Sequence, residues 1–175
     1  MKIIFTFLIA ILLTNCSGNN MKPIDFKDQK PRLVIEDYLS GSVKAWGILQ
    51  NRSGAVTRQF SANLTGIWDG NQLILNEEFN WSDGEVQKRK WKINKIDEHN
   101  YEGTADDVVG VAKGYSYGPA FKFEYVLLVP VKGKQMKITF DDWIFKQDDK
   151  IAINRATMTK FGIKVAELTV LFQKN

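Results

Sequence analysis

The feature that most constrains the fold of this chain is a strict alternation of apolar and polar side chains from about Ser42 onward. In one run the apolar positions are Phe60, Ala62, Leu64, Gly66 and Trp68, with mostly polar residues between them. The same period of two recurs over residues 121–131 and 136–141. Such alternation is typical of strands with one buried and one solvated face, and it argues against helices.

Short turns rich in Gly, Asn and Asp separate these runs, which is the pattern of sequential hairpins. The predicted strands are 43–52, 55–68, 72–81, 85–96, 100–106, 110–117, 120–131, 135–146, 150–158 and 163–173. Only residues 31–40 suggest a short turn of helix. We therefore predict an all-β, antiparallel up-and-down meander of eight to ten strands. Because an open meander leaves two exposed edges, we expect a closed, lipocalin-like barrel, with an open β-sandwich as the alternative.

The N-terminus has the features of an export signal. Lys2 is followed by an 11-residue run, Ile3 to Leu13, without charge. A run of that length is too short for a membrane-spanning helix, which needs ~20 residues, and suits the apolar core of a signal peptide. We assign residues 1–15 to a signal peptide.

The end of this signal, Leu13-Thr14-Asn15-Cys16, resembles the bacterial lipoprotein box. The resemblance implies cleavage before Cys16 and attachment of acyl chains, such as palmitate, to that residue. It also implies that Ser17, in place of Asp, directs the protein to the outer membrane. Residues 16–30 are then the lipidated Cys and a flexible tether, and residues 31–175 form a single barrel domain.

Composition excludes several classes of site. One Cys and one His cannot build a cysteine-rich or multi-histidine metal centre, so we predict no metal and no cofactor. The only His, His99, falls in a polar turn and is expected to be solvated. The 24 basic and 20 acidic residues are scattered, which does not favour nucleic-acid binding.

One predicted hairpin can be placed in register. A three-residue loop at 82–84 pairs Leu75 with Trp91 and Glu77 with Arg89 on the apolar face. Glu77 and Arg89 then form an inward ion pair, which is weak evidence for stability because of its desolvation cost. Two interpretations remain: the pair fixes the register and plugs the barrel, or it binds the head group of a ligand.

Aromatic side chains cluster on the same apolar face. Most belong to a core, but some could line a cavity, since ligand pockets are mostly apolar with a few polar groups. The candidate ligand-binding residues are Glu77, Arg89, Trp81, Trp91, Phe123 and Tyr125.

The alternation breaks at Asp141-Asp142-Trp143, because Phe140 and Trp143 cannot share a face in a regular strand. A bulge that re-aims one Asp, or a strand end that leads into a turn, would explain the break.

Many short motifs are similar to a known family in order and spacing: Ala45-Trp46-Gly47, Trp68-Asp69-Gly70, Ser82-Asp83-Gly84-Glu85, Tyr101-Glu102-Gly103-Thr104, Phe140-Asp141-Asp142-Trp143 and Ile153-Asn154-Arg155-Ala156. The chain resembles the bacterial lipoprotein family catalogued as domain of unknown function 3833, over residues 26–173. That resemblance implies a Gram-negative envelope lipoprotein but no established activity. Residues 38–41 followed by Trp46 are also similar to the start of lipocalins, without their Gly-x-Trp spacing, which is a fold analogy only.

Three functions remain open. The first is a membrane-tethered barrel, on the periplasmic face of the outer membrane, that binds or carries a lipid, a fatty-acyl chain or another apolar ligand. The second is a structural lipoprotein that docks an envelope partner through a strand edge or patch. The third, which we favour least, is an enzyme that acts on lipids through an inward carboxylate such as Glu77, Asp107 or Asp142.

Overall fold

A computed structural model describes residues 21–131 and 133–175. The predicted signal peptide, Cys16 and the first residues of the predicted tether lie outside the described residues. Among the described residues, neither helical segment is long and apolar enough to span a membrane.

Ten antiparallel strands form a closed barrel. They are β1 (Gly41–Asn51), β2 (Val56–Trp68), β3 (Gln72–Trp81), β4 (Val86–Lys95), β5 (Asn100–Thr104), β6 (Ala112–Tyr117), β7 (Ala120–Val131), β8 (Lys134–Lys146), β9 (Ile151–Lys160) and β10 (Ile163–Lys174). Each strand pairs with its neighbours in sequence, and β1 pairs with β10 to close the sheet. The predicted meander and its closure are confirmed, and the open sandwich is wrong.

The alternation of apolar and polar residues in the sequence corresponds to side chains that point alternately into the barrel and out to solvent. In β2, Phe60, Ala62 and Leu64 are buried while Ser61 and Asn63 are exposed. The β3–β4 register is confirmed, with Leu75 opposite Trp91. Apolar side chains therefore converge on the barrel axis, as closure of an amphipathic sheet requires.

Residues 31–40 close one end of the barrel, which we call the capped end. Their helical part, α1 (Ile35–Leu39), confirms the predicted turn of helix. Leu33 and Ile35 are fully buried. The Leu33 N–H donates to the Gly118 carbonyl at 2.7 Å, and the Tyr38 hydroxyl donates to the Lys150 carbonyl at 2.9 Å.

A glycine in the wall allows this cap to sit close. A Cβ atom at Gly66 would lie 2.0 Å from the Leu39 carbonyl oxygen, which no side chain could tolerate.

The opposite end, which we call the mouth, has no such cap among the described residues. It carries the hairpin turns between β1 and β2, β3 and β4, β7 and β8, and β9 and β10, together with the loop 105–111. β5 is short, so on the side of β4 its pairing covers only residues 92–95 of that strand. The loop fills the space beside the rest of β4 and bonds to β7, where the Leu128 N–H donates to the Asp107 carbonyl at 2.8 Å.

β8 runs through the break in alternation without a bulge. Asp141, Asp142 and Trp143 pair in regular register with Glu124, Phe123 and Lys122. Both the bulge and the strand end predicted there are wrong.

Trp143 instead faces outward and is covered. The chain forms a 3₁₀ turn at Pro23–Phe26, and the Phe26 ring lies 6.0 Å from the Trp143 ring. Only 7% of Trp143 is exposed. The end of the segment assigned to the tether thus contacts the outer wall of the barrel.

His99 is not simply solvated, contrary to expectation. Its ring is half-buried and stacks on Tyr117 at 4.1 Å between centroids, and its Nδ1 lies 2.8 Å from the Ser116 carbonyl oxygen. These contacts belong to the capped end and give His99 a structural role.

Candidate ligand-binding site

Two cavities lie along the barrel axis. The inner cavity has a volume of about 100 Å³. The mouth cavity has a volume of about 410 Å³, within the range of about 300–1,000 Å³ that is typical of ligand pockets. Five residues line both cavities and form the floor of the mouth: Phe60, Phe79, Arg89, Tyr125 and Leu168.

Aromatic packing fills much of the inner half. The Trp91 ring lies 5.2 Å from Phe123 and 5.3 Å from Tyr125. Phe123 packs over Gly103, where a Cβ would lie 2.5 Å from its ring. Gly103 lies within β5, and its lack of a side chain lets this ring approach the strand.

The walls of the mouth cavity are mainly apolar. They include Leu127 and Val129 of β7, Phe140 of β8, Met158 of β9 and Leu49 of β1. Because side chains from these strands stop short of the centre, the space between them stays open.

The polar part of the floor is built around Arg89. Its Nε and Nη2 donate to the Asp107 carboxylate at 2.9 and 2.8 Å. Its Nη1 lies 3.8 Å from Oε2 of Glu77. The Arg89–Asp107 pair joins β4 to the loop 105–111 at the place where β5 gives β4 no partner.

A second polar group faces the first across the inner cavity. The Tyr125 hydroxyl donates to Oδ2 of Asp142 at 2.8 Å. The Asn154 amide donates to the same carboxylate and, at 3.0 Å, to the Trp143 carbonyl. Asp142 reaches this position because the regular register of β8 turns it inward.

Burial changes the acidity of these groups. It raises the pKa of Glu77 to about 7, because the attraction of Arg89 is too weak to offset burial and the repulsion from Asp142 and Asp107. Burial also raises the pKa of Asp142, although Asn154 and Tyr125 donate hydrogen bonds to it. Oε2 of Glu77 is buried and has no hydrogen-bond partner among the described residues.

The six residues predicted to bind a ligand all lie on these cavities. Glu77, Trp91 and Phe123 line the inner one, Trp81 lines the mouth, and Arg89 and Tyr125 line both. Trp81 also supports Arg58, whose guanidinium carbon lies 4.0 Å from the centroid of its ring. Arg58 in turn bonds to Asp83 at 2.7 Å and Glu85 at 2.8 Å.

Asn154 and Arg58 are site residues that the sequence did not predict. Asp107 and Asp142 were predicted only as catalytic carboxylates. The period of two over Phe140, Asp142 and Ile144 was the signal that places Asp142 inside. No three His, Cys, Asp or Glu side chains converge as metal ligands in the part of the chain that the structure describes.

A comparison with known families tests whether the chain belongs to the family that its motifs resemble. The family described as protein of unknown function DUF3833 matches residues 10–174. The chain belongs to this family. The comparison with curated proteins finds no match for this DUF3833 protein.

Solved structures with the same barrel share little of its sequence. The S-type phycobiliprotein lyase CPES from Guillardia theta has 10% identity and a TM-score of 0.60, over 80% of this chain and 90% of that one. A DUF3598 protein of unknown function from Nostoc punctiforme has 14% identity and a TM-score of 0.63. The match covers 84% of this chain and about half (51%) of that one. At such identities the likeness establishes a lipocalin-like barrel fold for the DUF3833 protein and no shared ligand.

Proposed function

We propose that this DUF3833 protein is a lipid-anchored envelope protein that binds a lipid or another apolar or amphipathic molecule in the mouth of its barrel. The observation that carries the proposal is the mouth cavity of about 410 Å³, with apolar walls and a floor that holds Arg89 and Tyr125. A pocket of that size and composition buries an apolar body and orients it by a few polar contacts.

The two cavities differ in the space that they offer a ligand. The inner cavity, at about 100 Å³, is smaller than typical ligand pockets. An apolar chain therefore occupies the mouth, and its polar end reaches the floor near Arg89. Burial of each CH₂ group against the walls contributes about 0.8 kcal/mol before the cost of association.

The proposed anchor sets the orientation of the barrel. Cys16 lies only five residues before Met21, so the chain between them spans at most about 18 Å. The Pro23–Phe26 turn lies against Tyr115 and Tyr117 of β6, next to the capped end. An acylated Cys16 would thus hold the capped end near the periplasmic face of the outer membrane and leave the mouth facing away.

Native mass spectrometry tests the proposal. The lipidated protein, extracted from its own membrane, is compared with a soluble Cys16→Ser form. We expect a reproducible non-covalent mass on both forms and an added acyl mass only where Cys16 is present. Empty protein in both forms would refute ligand binding, and the absence of acyl mass would refute the anchor.

A pair of matched variants locates the ligand. Val129→Trp fills the mouth cavity from β7 and should remove the bound mass. Thr139→Trp adds the same ring on the exposed face of β8 and should leave it unchanged. Equal ligand occupancy in both variants would place the binding site elsewhere.

Docking of an envelope partner is a second candidate, favoured by one residue. Phe161, at the tip of the β9–β10 hairpin, is 93% exposed. Phe161→Ser should abolish a stoichiometric complex recovered by cross-linking in whole cells. Recovery of the same complex with the variant would exclude this surface.

A further inference from the structure

Carboxyl groups outnumber cationic groups at the floor of the mouth and in the inner cavity just beneath it. Three carboxylates, those of Glu77, Asp107 and Asp142, surround one guanidinium, that of Arg89. Asp107 uses Nε and Nη2 of Arg89, and the remaining Nη1 faces Glu77. Two nitrogens of Arg89 are thus hydrogen-bonded to Asp107, and the third is only attracted to Glu77 from 3.8 Å, so the charge of Arg89 is already balanced by carboxyl groups of the protein.

The mouth has a second cation in its lining, and that cation is also paired. Arg58 bonds to Asp83 and Glu85 and stacks on Trp81. No lysine lines the mouth or the inner cavity among the described residues. A carboxylate or phosphate head group would have to compete with existing carboxylates for either arginine, in a setting where a like charge is costly.

The inner cavity, just beneath this floor, holds an acceptor with no donor within hydrogen-bond distance among the described residues. Oε2 of Glu77 is buried without a hydrogen-bond partner among the described residues, and its side chain is 12% exposed. An unpaired buried acceptor costs free energy that a donor group from a ligand would recover. A hydrogen bond from a cationic donor is the stronger kind.

From this charge balance and this free acceptor we propose that the ligand is an amphiphile with a hydrogen-bond-donating, non-anionic head group, best a primary ammonium, that binds Glu77. The proposal rests on the proposed function and adds the chemical class of the ligand. The head group lies past Arg89 of the floor and reaches Glu77 in the inner cavity, and the apolar chain extends along Leu127 and Val129 toward the opening. A free fatty acid, which the apolar walls alone would accept, is rejected by the floor.

Three probes of equal chain length test the proposal: decylamine, decanol and decanoate. Isothermal titration calorimetry on the full chain carrying Cys16→Ser, at pH 7, gives the three affinities. We expect decylamine to bind most tightly, decanol less tightly and decanoate weakest. If none of the three binds, the proposed function fails; if decanoate binds best, ligand binding stands and this inference fails.

A matched pair of glutamate variants assigns the selectivity. Glu77→Gln should weaken decylamine by about 10- to 100-fold, the value of a charge-assisted hydrogen bond, and narrow its advantage over decanoate. Glu78→Gln is the control, because Glu78 is the next residue of β3, points to the other face and pairs with Lys88 at 2.9 Å. Equal decylamine affinity in the two variants would overturn the assignment.

A third variant keeps the test decisive if Glu77→Gln does not fold. Asp142→Asn removes another carboxylate near the floor without removing the free acceptor. It should lower the preference for decylamine over decanoate by a smaller factor. An unchanged preference in Asp142→Asn would contradict the charge argument.

Discussion

The two ends of the barrel differ in how completely their interior is packed and hydrogen-bonded. At the capped end, Leu33 and Ile35 are fully buried, and the buried Glu36 receives hydrogen bonds from Lys95 and Tyr101. At the mouth, side chains leave about 410 Å³ open, and just beneath its floor Oε2 of Glu77 has no hydrogen-bond donor among the described residues. One end of the same meander is therefore built for stability, and the other keeps space and an unsatisfied group.

Two buried glutamates show this difference in their acidity. Burial alone would raise the pKa of Glu36, but hydrogen bonds from Lys95, its own backbone and Tyr101 lower it. Burial raises the pKa of Glu77, and its single cation, Arg89, is shared with Asp107. Several hydrogen bonds stabilise the Glu36 carboxylate, whereas burial outweighs the attraction of Arg89 at Glu77, so the pKa values of the two groups shift in opposite directions.

The largest expected contrast comes from one leucine at each end. Leu33→Ala should lower the free energy of unfolding by about 4 kcal/mol, because a fully buried leucine leaves a cavity. Leu49→Ala, at a half-buried position on the mouth cavity, should cost about 1–2 kcal/mol. Urea unfolding monitored by tryptophan fluorescence measures both, and equal losses would contradict a stabilising cap.

Removing the carboxylate of Glu36 should have the next largest effect. Glu36→Ala leaves the Lys95 ammonium and the Tyr101 hydroxyl without their partner and should cost about 3 kcal/mol. The control is Glu98→Ala, which breaks the exposed pair with Arg32 and should cost under about 1 kcal/mol. Urea unfolding of the two variants in parallel compares the values.

The two glutamates should affect stability with opposite dependence on pH. Folded Glu77 keeps its proton up to a pKa of about 7, whereas the unfolded side chain loses it near 4.5. Stability that depends on Glu77 therefore falls as pH rises between these values. The free energy of unfolding of Glu77→Gln should accordingly rise by about 3 kcal/mol relative to that of the native protein between pH 4 and pH 8.

Glu36 provides the opposite case. Its folded pKa lies below the unfolded one, so its contribution is present above the unfolded pKa and is lost as pH falls through the folded pKa. Glu36→Gln should therefore be most damaging at neutral pH. Denaturant midpoints at several pH values test both variants, and parallel curves for the two would show that their environments are alike.

The smallest effect is expected at the exposed tip of the mouth. Phe161→Ser should change the free energy of unfolding by less than about 0.5 kcal/mol, because the ring contributes almost nothing to the core. The thermal midpoint measures the change. A large loss would mean that this ring packs against part of the chain outside the described residues.

Much of the barrel was predictable from local patterns. The alternation in β2 and the turn at 82–84 suffice for the strands and for the β3–β4 register, since both depend only on residues near in sequence. The inward direction of Glu77 and Arg89 follows from that register. The same rule failed at Trp143 because it assumed that a large apolar ring must face the barrel interior, whereas Phe26 covers it from outside.

The geometry of the site could not be derived in this way. The Arg89–Asp107 pair depends on a loop that replaces a strand, and β5 gives no sign in sequence that it ends early. The cap depends on residues 31–40 reaching Gly118 and Lys150, far away along the chain. The size of each cavity depends on how rings such as Phe123 fill the space, which composition alone does not determine.

Closure between the first and last strands has a consequence for the order of folding. Every other strand pair is a local hairpin, whereas Ala45 meets Phe172 only after the whole domain is available. During synthesis, which starts at the N-terminus, the chain can form hairpins early. The edge of β1 stays unpaired until β10 has been made and can pair with it. Non-local contacts of this kind slow folding and expose unpaired edges to aggregation. The twelve residues of β10 are therefore required to close the barrel. Deleting them should cause aggregation and not merely a small loss of stability.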